Sequence, residues 1–212
     1  MPTLSTLALY TVAATLILII PGPAVVYIVS QGVRHGPRAA ATAVAGVHAG
    51  TLVQVAAAAA GLSWLLASSA LAFTVVKYAG AAYLIYLGVR ALLSRAEPAP
   101  ELPAGGRSAR RLFGEGLMVN VLNPKLALFF LAFLPQFVDP ARGSVPLQVV
   151  VLGLVFVVLG CCTDGAYALL SGAVGPWLRR GGRLLKGERY VVGGTFIGLG
   201  VLTALTPARA QQ

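Results

Sequence analysis

Six stretches of this chain are apolar for the length a lipid bilayer demands, and nothing else in the sequence constrains its fold as much. They run over residues 5–30, 39–65, 69–93, 113–134, 146–172 and 190–206, and a spanning helix needs ~20 mostly apolar residues. Hydrocarbon offers no partner to a backbone N–H or C=O, so each stretch is predicted to be a helix. Composition agrees. Of the 212 residues 58% are hydrophobic and 10% charged, against roughly half and a quarter in soluble domains. The sequence predicts an all-α membrane protein of six transmembrane helices. No Lys or Arg precedes Arg34, so the first run lacks the basic start of a cleavable signal peptide and reads as a retained span.

Charge then orients the bundle. A net charge of +10 would suit nucleic acid if it formed one face or a tail. Instead the basic residues sit in the polar gaps between alternate runs. Arg34 and Arg38 follow the first run, five arginines from Arg90 to Arg111 surround the third gap, and five basic residues from Arg179 to Arg189 fill the fifth. The opposite side holds Arg142 and Arg209. The excess of positive charge in retained loops places these three gaps in the cytoplasm and both termini outside. Nucleic acid is excluded as a partner; the lipid bilayer is the expected one. Cys161 and Cys162 are adjacent within an apolar run and read as buried thiols, since one neighbouring pair is neither a disulfide framework nor a metal-ligand spacing. No metal site or cofactor is expected.

The gap 94–112, "SRAEPAPELPAGGRSARRL", is rich in Pro, Gly and charge and reads as a cytoplasmic linker. It separates a three-span half, residues 1–93, from a second, residues 113–212. An odd number of spans per half forces the two copies into opposite orientations, the inverted-repeat plan of many secondary transporters. "GAAYLIYLGVRAL" (80–92) is similar to "GGTFIGLGVLTAL" (193–205) once one gap is allowed. One shift also lays Gly22-Pro23 on Asn123-Pro124. Asn and Gly favour the N-cap of a helix, and proline favours the position after it, where its missing N–H costs nothing. Helices one and four are therefore predicted to break and restart at Pro21-Gly22-Pro23 and at Asn123-Pro124. Backbone freed at that depth must face protein or a wet cavity. Paired breaks point to a binding site shared by the halves, with Ala24 and Asn120 beside them; two packing kinks are the alternative.

Ionisable groups inside spans are functional candidates. Lys125 lies ~18 Å along span four, near mid-membrane. It reads either as a cation for a substrate carboxylate, helped by the N–H groups of a restarted helix, or as an ion-pair partner of Asp164. Asp164 shares a helical face with Gly160, Tyr167 and Ser171. It could bind a substrate ammonium or a coupling proton, or be a packed, paired carboxylate. Lys77 is a second coupling candidate, with snorkelling to the surface as its alternative. Tyr83 and Tyr86 are candidates to line the pathway. Gly46, Gly50 and Gln54 repeat every fourth residue on span two, the glycines for close helix contact and Gln54 as a lining residue. His48 reads as a hydrogen-bonded interior histidine rather than a ligand, and Glu115 as a partner of the arginine-rich linker. The small-residue faces permit a homodimer.

Over nearly its whole length the sequence resembles the LysE/RhtB family of amino-acid exporters. The resemblance is carried by "PGPAVVYIVSQGVRHGPRAA" (21–40), "AGVHAGTLVQ" (45–54), "KYAGAAYLIYLGVRAL" (77–92) and "FGEGLMVNVLNPKLALFFLAFLPQF" (113–137). It implies a small six-span exporter of amino acids in the bacterial inner membrane, driven by the proton gradient. Lys125 and Asp164 could together satisfy a zwitterion, whereas a dibasic substrate would want another buried acid; a neutral amino acid such as threonine, homoserine or leucine is expected. No Gly-x-Ser-x-Gly, His-Glu-x-x-His or phosphate-binding loop is present, so an enzyme is not expected. A metal-ion exporter is the nearer rival, opposed by only two histidines and no acidic cluster.

Overall fold

In the computed structural model, residues 1–68, 70–93 and 108–171 are described, together with scattered positions from 190 to 205. Among them there is no strand. The helices are α1 (Leu4–Ile19), α2 (Pro23–His35), α3 (Pro37–Ser68), α4 (Ala70–Leu93), α5 (Ala109–Val121), α6 (Pro124–Leu128) and α7 (Val145–Leu169). A π-helical turn, Phe129–Phe133, and a 3₁₀ turn, Leu134–Phe137, continue α6. By length and composition Pro37–Gly61 and Val145–Leu169 can each cross a membrane. Two bent pairs bring the number to four: α1 with α2, bent by 53°, and α5 with the segment from Lys125 to Phe137, bent by 52°. The last predicted span is described only at isolated positions, and residues 94–107 of the linker lie outside the described residues.

Both breaks fall where proline forbids a continuous ladder. Gly22 is the N-cap of α2 with Pro23 first in the helix, and Asn123 caps α6 with Pro124 first. The turn between α2 and α3 depends on Gly36, whose φ of 84° is a conformation that side chains with a Cβ rarely adopt. One boundary differs from the sequence reading. The linker's last residues are helical, because Ser108 accepts a hydrogen bond from the Arg111 N–H (3.3 Å) and starts α5 at Ala109. Glu115 then pairs with Arg111 at 3.0 Å within that helix.

α3 is the central element and touches α2, α5 and α7. Its contact with α5 is backbone against backbone. A Cβ on Gly46 would collide with the Phe113 carbonyl, and one on Gly116 would stand 2.8 Å from the Ala43 carbonyl oxygen. α4 meets the C-terminal segment the same way. A Cβ on Gly88 would stand 2.7 Å from the Gly193 oxygen, and one on Gly200 would stand 2.8 Å from the Ala81 oxygen.

Two apolar clusters form along α3. One collects Tyr10, Ile17 and Leu18 with Val55, Phe129, Phe133, Leu152 and Phe156. The other collects Ala24, Tyr27 and Ile28 with Ala40, Ala43, Val47 and Ala168. On α3 the second cluster ends at Val47 and the first begins at Val55; on α7 the first ends at Phe156 and the second begins at Ala168. The buried polar residues in between are His48, Thr51 and Gln54 on α3 and Asp164 on α7.

Candidate functional site

The broken helices expose backbone that must find partners, and at the α1 and α5 ends side chains supply them. α1 ends at Ile19, leaving carbonyls that no further turn can use. The Tyr167 hydroxyl donates to the Ile19 carbonyl at 2.8 Å, and the Lys125 ammonium donates to the Ile20 carbonyl at 2.6 Å. α5 ends likewise, and the Gln54 amide donates to the Asn120 carbonyl at 2.7 Å and to that of Val121 at 3.2 Å. So Gln54 and Tyr167 hold helix ends in place; neither lines the cavity described below.

The freed N–H ends are treated unequally. At α6 the Asn123 side chain accepts from the Lys125 N–H at 3.0 Å. At α2 the cap is Gly22, which has no side chain to offer. The Lys125 stem lies against this cap: a Cβ on Gly22 would stand 3.5 Å from Lys125 Cδ and 3.7 Å from Nζ. The ammonium therefore bridges the negative end of α1 and the positive, side-chain-free end of α2. Helix dipoles favour an anion at such an N-terminus.

These groups border a cavity of about 30 Å³ between the two apolar clusters, room for about two water molecules. Gly22, Ala24, Asn120, Asn123, Lys125 and Asp164 line it, as do His48 and Thr51; Leu18, Val25, Phe156 and their neighbours form its apolar wall. Asn120 is wholly buried and donates from Nδ2 to the Val47 carbonyl and to Thr51 Oγ1, both at 2.7 Å. Its Oδ1 has no protein hydrogen bond. Opposite, Asp164 Oδ2 lies 3.3 Å from His48 Nε2.

Of the residues singled out in the sequence, the structure thus brings seven, His48 among them, to one cavity and sets Pro21, Pro23 and Pro124 in the breaks beside it. Tyr83 is not among its lining residues. It lies half exposed on α4, its ring 5.9 Å from that of Tyr86. The Lys77 side chain lies outside the described residues. His48 differs from its sequence reading. It is buried, but neither ring nitrogen makes a hydrogen bond of good geometry. Thr51 was not singled out, although it follows His48 by three residues, one face of a helix.

A family model described as LysE type translocator matches residues 15–206. Over 197 residues the chain is 32% identical to a homoserine/homoserine lactone efflux protein of Salmonella typhi, covering 92% of this chain and 94% of that one. It is 31% identical over 199 residues to a protein of Vibrio cholerae named only as a membrane protein, covering 94% and 96%. A leucine efflux protein of Klebsiella pneumoniae is 29% identical over 191 residues, covering 89% and 90%. No solved structure matches the chain.

Proposed function

We propose that this chain, which belongs to the LysE type translocator family, exports neutral amino acids from the cytoplasm in exchange for protons. Its family makes it an amino-acid efflux transporter and not an enzyme. The substrate class and the mechanism are our reading of the cavity. One observation carries it: the Lys125 ammonium sits at the open N-terminus of α2 while the Asp164 carboxylate lines the same cavity. A zwitterion needs those two poles. Its carboxylate would be met by Lys125 and the α2 N–H groups, and its ammonium by Asp164 and Asn120 Oδ1. Unmatched charge is costly to hold within a membrane, so a site that answers both is the minimum for carrying an amino acid across. The wall of Leu18, Val25 and Phe156 suits a short hydroxylated or aliphatic side chain, in line with the homoserine and leucine in the relatives' names.

In our reading the chain has six spans in two inverted halves, with the site where the halves meet. The glycine contacts support this. The shift that carries Ala81 onto Gly193 also carries Ile85 onto Ile197 and Gly88 onto Gly200. Gly88 is in close contact with Gly193 and Ile197; Gly200 is in close contact with Ala81 and Ile85. A two-fold relation between halves converts each contact into the other. The charge asymmetry supports a cytoplasmic 94–112 linker and outward termini in a bacterial inner membrane. The cavity is too small for an amino acid as it stands, so loading requires the halves to part.

Cells preloaded with labelled homoserine, threonine or leucine should lose label faster when they make this protein, and more so under an inward proton gradient. Unchanged efflux of every amino acid tested, with export of a divalent metal ion instead, would overturn the reading.

A further inference from the structure

We infer that His48 carries the coupling proton, and that this proton and the substrate's ammonium are alternative partners of Asp164. The inference rests on the cavity being the amino-acid site, and adds how that site exchanges one ion for the other.

His48 and Asp164 face each other from α3 and α7, their side chains only 8% and 7% exposed. The imidazole lies directly on α7, where a Cβ on Gly160 would stand 2.6 Å from its Cε1. A structural histidine inside a protein fixes its tautomer with a hydrogen bond from the ring. This one does not. Nε2 is 3.3 Å from Asp164 Oδ2, near enough for an ion pair, but the ring N–H is not aimed at that oxygen, and Nδ1 has no hydrogen bond either. Such a ring can take or release a proton without breaking an internal bond, and histidine is the side chain whose charge ordinarily changes between pH 5 and 8.

Cys161, exposed on α7, is a further ionisable side chain within electrostatic reach of Asp164; the remaining groups nearby are engaged elsewhere. Lys125, from α6, borders the same cavity and donates to the Ile20 carbonyl. Among the described residues of α2 and α5, Tyr27 donates to the Leu112 carbonyl and Glu115 pairs with Arg111. On α7 the Tyr167 hydroxyl donates to the Ile19 carbonyl. Leu18, Gly22, Ala24, Val25 and Asn120, the lining residues of α1, α2 and α5, carry no side-chain charge.

The exchange follows from charge balance. With His48 protonated, imidazolium and Asp164 carboxylate form a neutral pair. An arriving ammonium would be a second cation on one carboxylate, in a site where water screens poorly. When the N–H proton of His48 leaves, Asp164 is free for the ammonium while Lys125 meets the carboxylate. Release of the zwitterion on the far side lets His48 take up a proton there. Only an N–H bond is broken and formed. The proton-loaded site carries one more positive charge than the substrate-loaded site, so each exported zwitterion returns one positive charge inward. The membrane potential thus adds to the pH gradient as a driving force.

The test is binding of L-homoserine and L-leucine to the purified full chain between pH 5.5 and 8.5. Proton release is counted by titration calorimetry in buffers of different ionisation enthalpy. At the acid end of this range wild type should release close to one proton per amino acid bound, with affinity falling as pH falls, approaching tenfold per pH unit; toward pH 8.5 the release should fade and the affinity level off. In His48→Gln the remaining affinity should be flat with pH, with no proton released, and a pH gradient should no longer drive uphill transport in vesicles. A wild-type chain that binds either amino acid without releasing a proton at pH 5.5 would overturn the inference, whatever the variant does. So would a His48→Gln chain that keeps the proton release. Wild type that binds no amino acid at all would instead overturn the amino-acid reading beneath it.

Discussion

Replacing Lys125 by methionine, which keeps much of the stem and removes the ammonium, separates two roles that the structure assigns to one side chain. The first is structural. Nζ donates to the Ile20 carbonyl at 2.6 Å, and Ile20 is buried at 8% exposure. Leaving that oxygen without its donor should cost ~1–3 kcal/mol of stability. The second is the proposed grip on the substrate carboxylate. A hydrogen bond to a charged group is worth ~1.5–3 kcal/mol, which is about 10- to 150-fold in affinity. The α2 N-terminus remains and should keep binding from vanishing. The two roles part when leucine is compared with leucinamide, which keeps the ammonium and lacks the carboxylate. Wild type should prefer leucine, and Lys125→Met should narrow that preference by about that factor, leaving the part that the α2 N-terminus supplies. Lys125→Arg should restore stability better than affinity, because the wider guanidinium misfits a compact site against Gly22. Equal losses for leucine and leucinamide in Lys125→Met would refute the carboxylate role and leave Lys125 as a cap for α1. Unchanged leucine affinity would refute it outright.

Tyr167→Phe deletes only the hydroxyl that donates to the Ile19 carbonyl at 2.8 Å; it should lower stability by ~1 kcal/mol in thermal unfolding of the detergent-solubilised protein. A drop of several kcal/mol would mean the ring itself, not the cap, holds α1. Replacing Pro23 and Pro124 together by alanine should let both helices run on and satisfy the α2 N–H groups internally. Homoserine affinity should then fall at least tenfold while the protein still inserts, and normal affinity in that variant would argue against a site built on the breaks. A reporter that needs the periplasm should be active when fused after Gln212 and silent within the 94–112 linker. The opposite pattern would invert the topology.

The breaks were legible because proline and its cap residue leave letters in the sequence, and α7's small and polar stripe was legible because Gly160, Asp164 and Ser171 keep helical spacing. Gly46 and Gly50 announced the close approach to α5 for the same reason. What answers the freed backbone was not legible. Lys125 was weighed against a carboxylate and against Asp164, yet the structure gives it a main-chain carbonyl, and a carbonyl freed at Ile20 has no letter of its own. For the same reason the spacing marks Gln54 as a lining residue and Tyr167 as part of the Asp164 face, and gives no sign of the helix ends they meet. Each instead spends its donor on a helix end. Tyr83 is a different case: it lies half exposed on α4 and is absent from the lining of this cavity. α4 is apolar over most of its surface, with Lys77 and Arg90 its charged residues, and a helix without a polar face gives little sign of which side turns inward. His48 could have been found only through Asp164, which shares its layer across two helices distant in sequence.

The bond from Lys125 to Ile20 also bears on how such a site could work from both sides. It ties the break of the second half to the break of the first, and the substrate carboxylate would be met at that tie. If the halves rock against each other, groups near the pivot move least, so a site built on the two breaks keeps its geometry whichever side is open. The apolar clusters flank it and must part in turn. They are unlike. One is dense with aromatic rings, with Phe129 4.9 Å from Phe156 and 5.2 Å from Phe133, and part of it stands on the π-helical turn that follows α6. The other is mostly alanine and valine, with Tyr27 and Ile28. A π turn carries one residue more than the α-helical ladder around it accommodates, and such turns recur at functional sites. Parting the aromatic cluster means moving large rings carried in part on that irregular turn, whereas parting the alanine cluster means sliding smooth helix surfaces past each other. Under the proposed topology the aromatic cluster faces outward. The step that separates those rings is then the one that carries the substrate-loaded site outward, whereas the inward movement of proton and charge accompanies their closing.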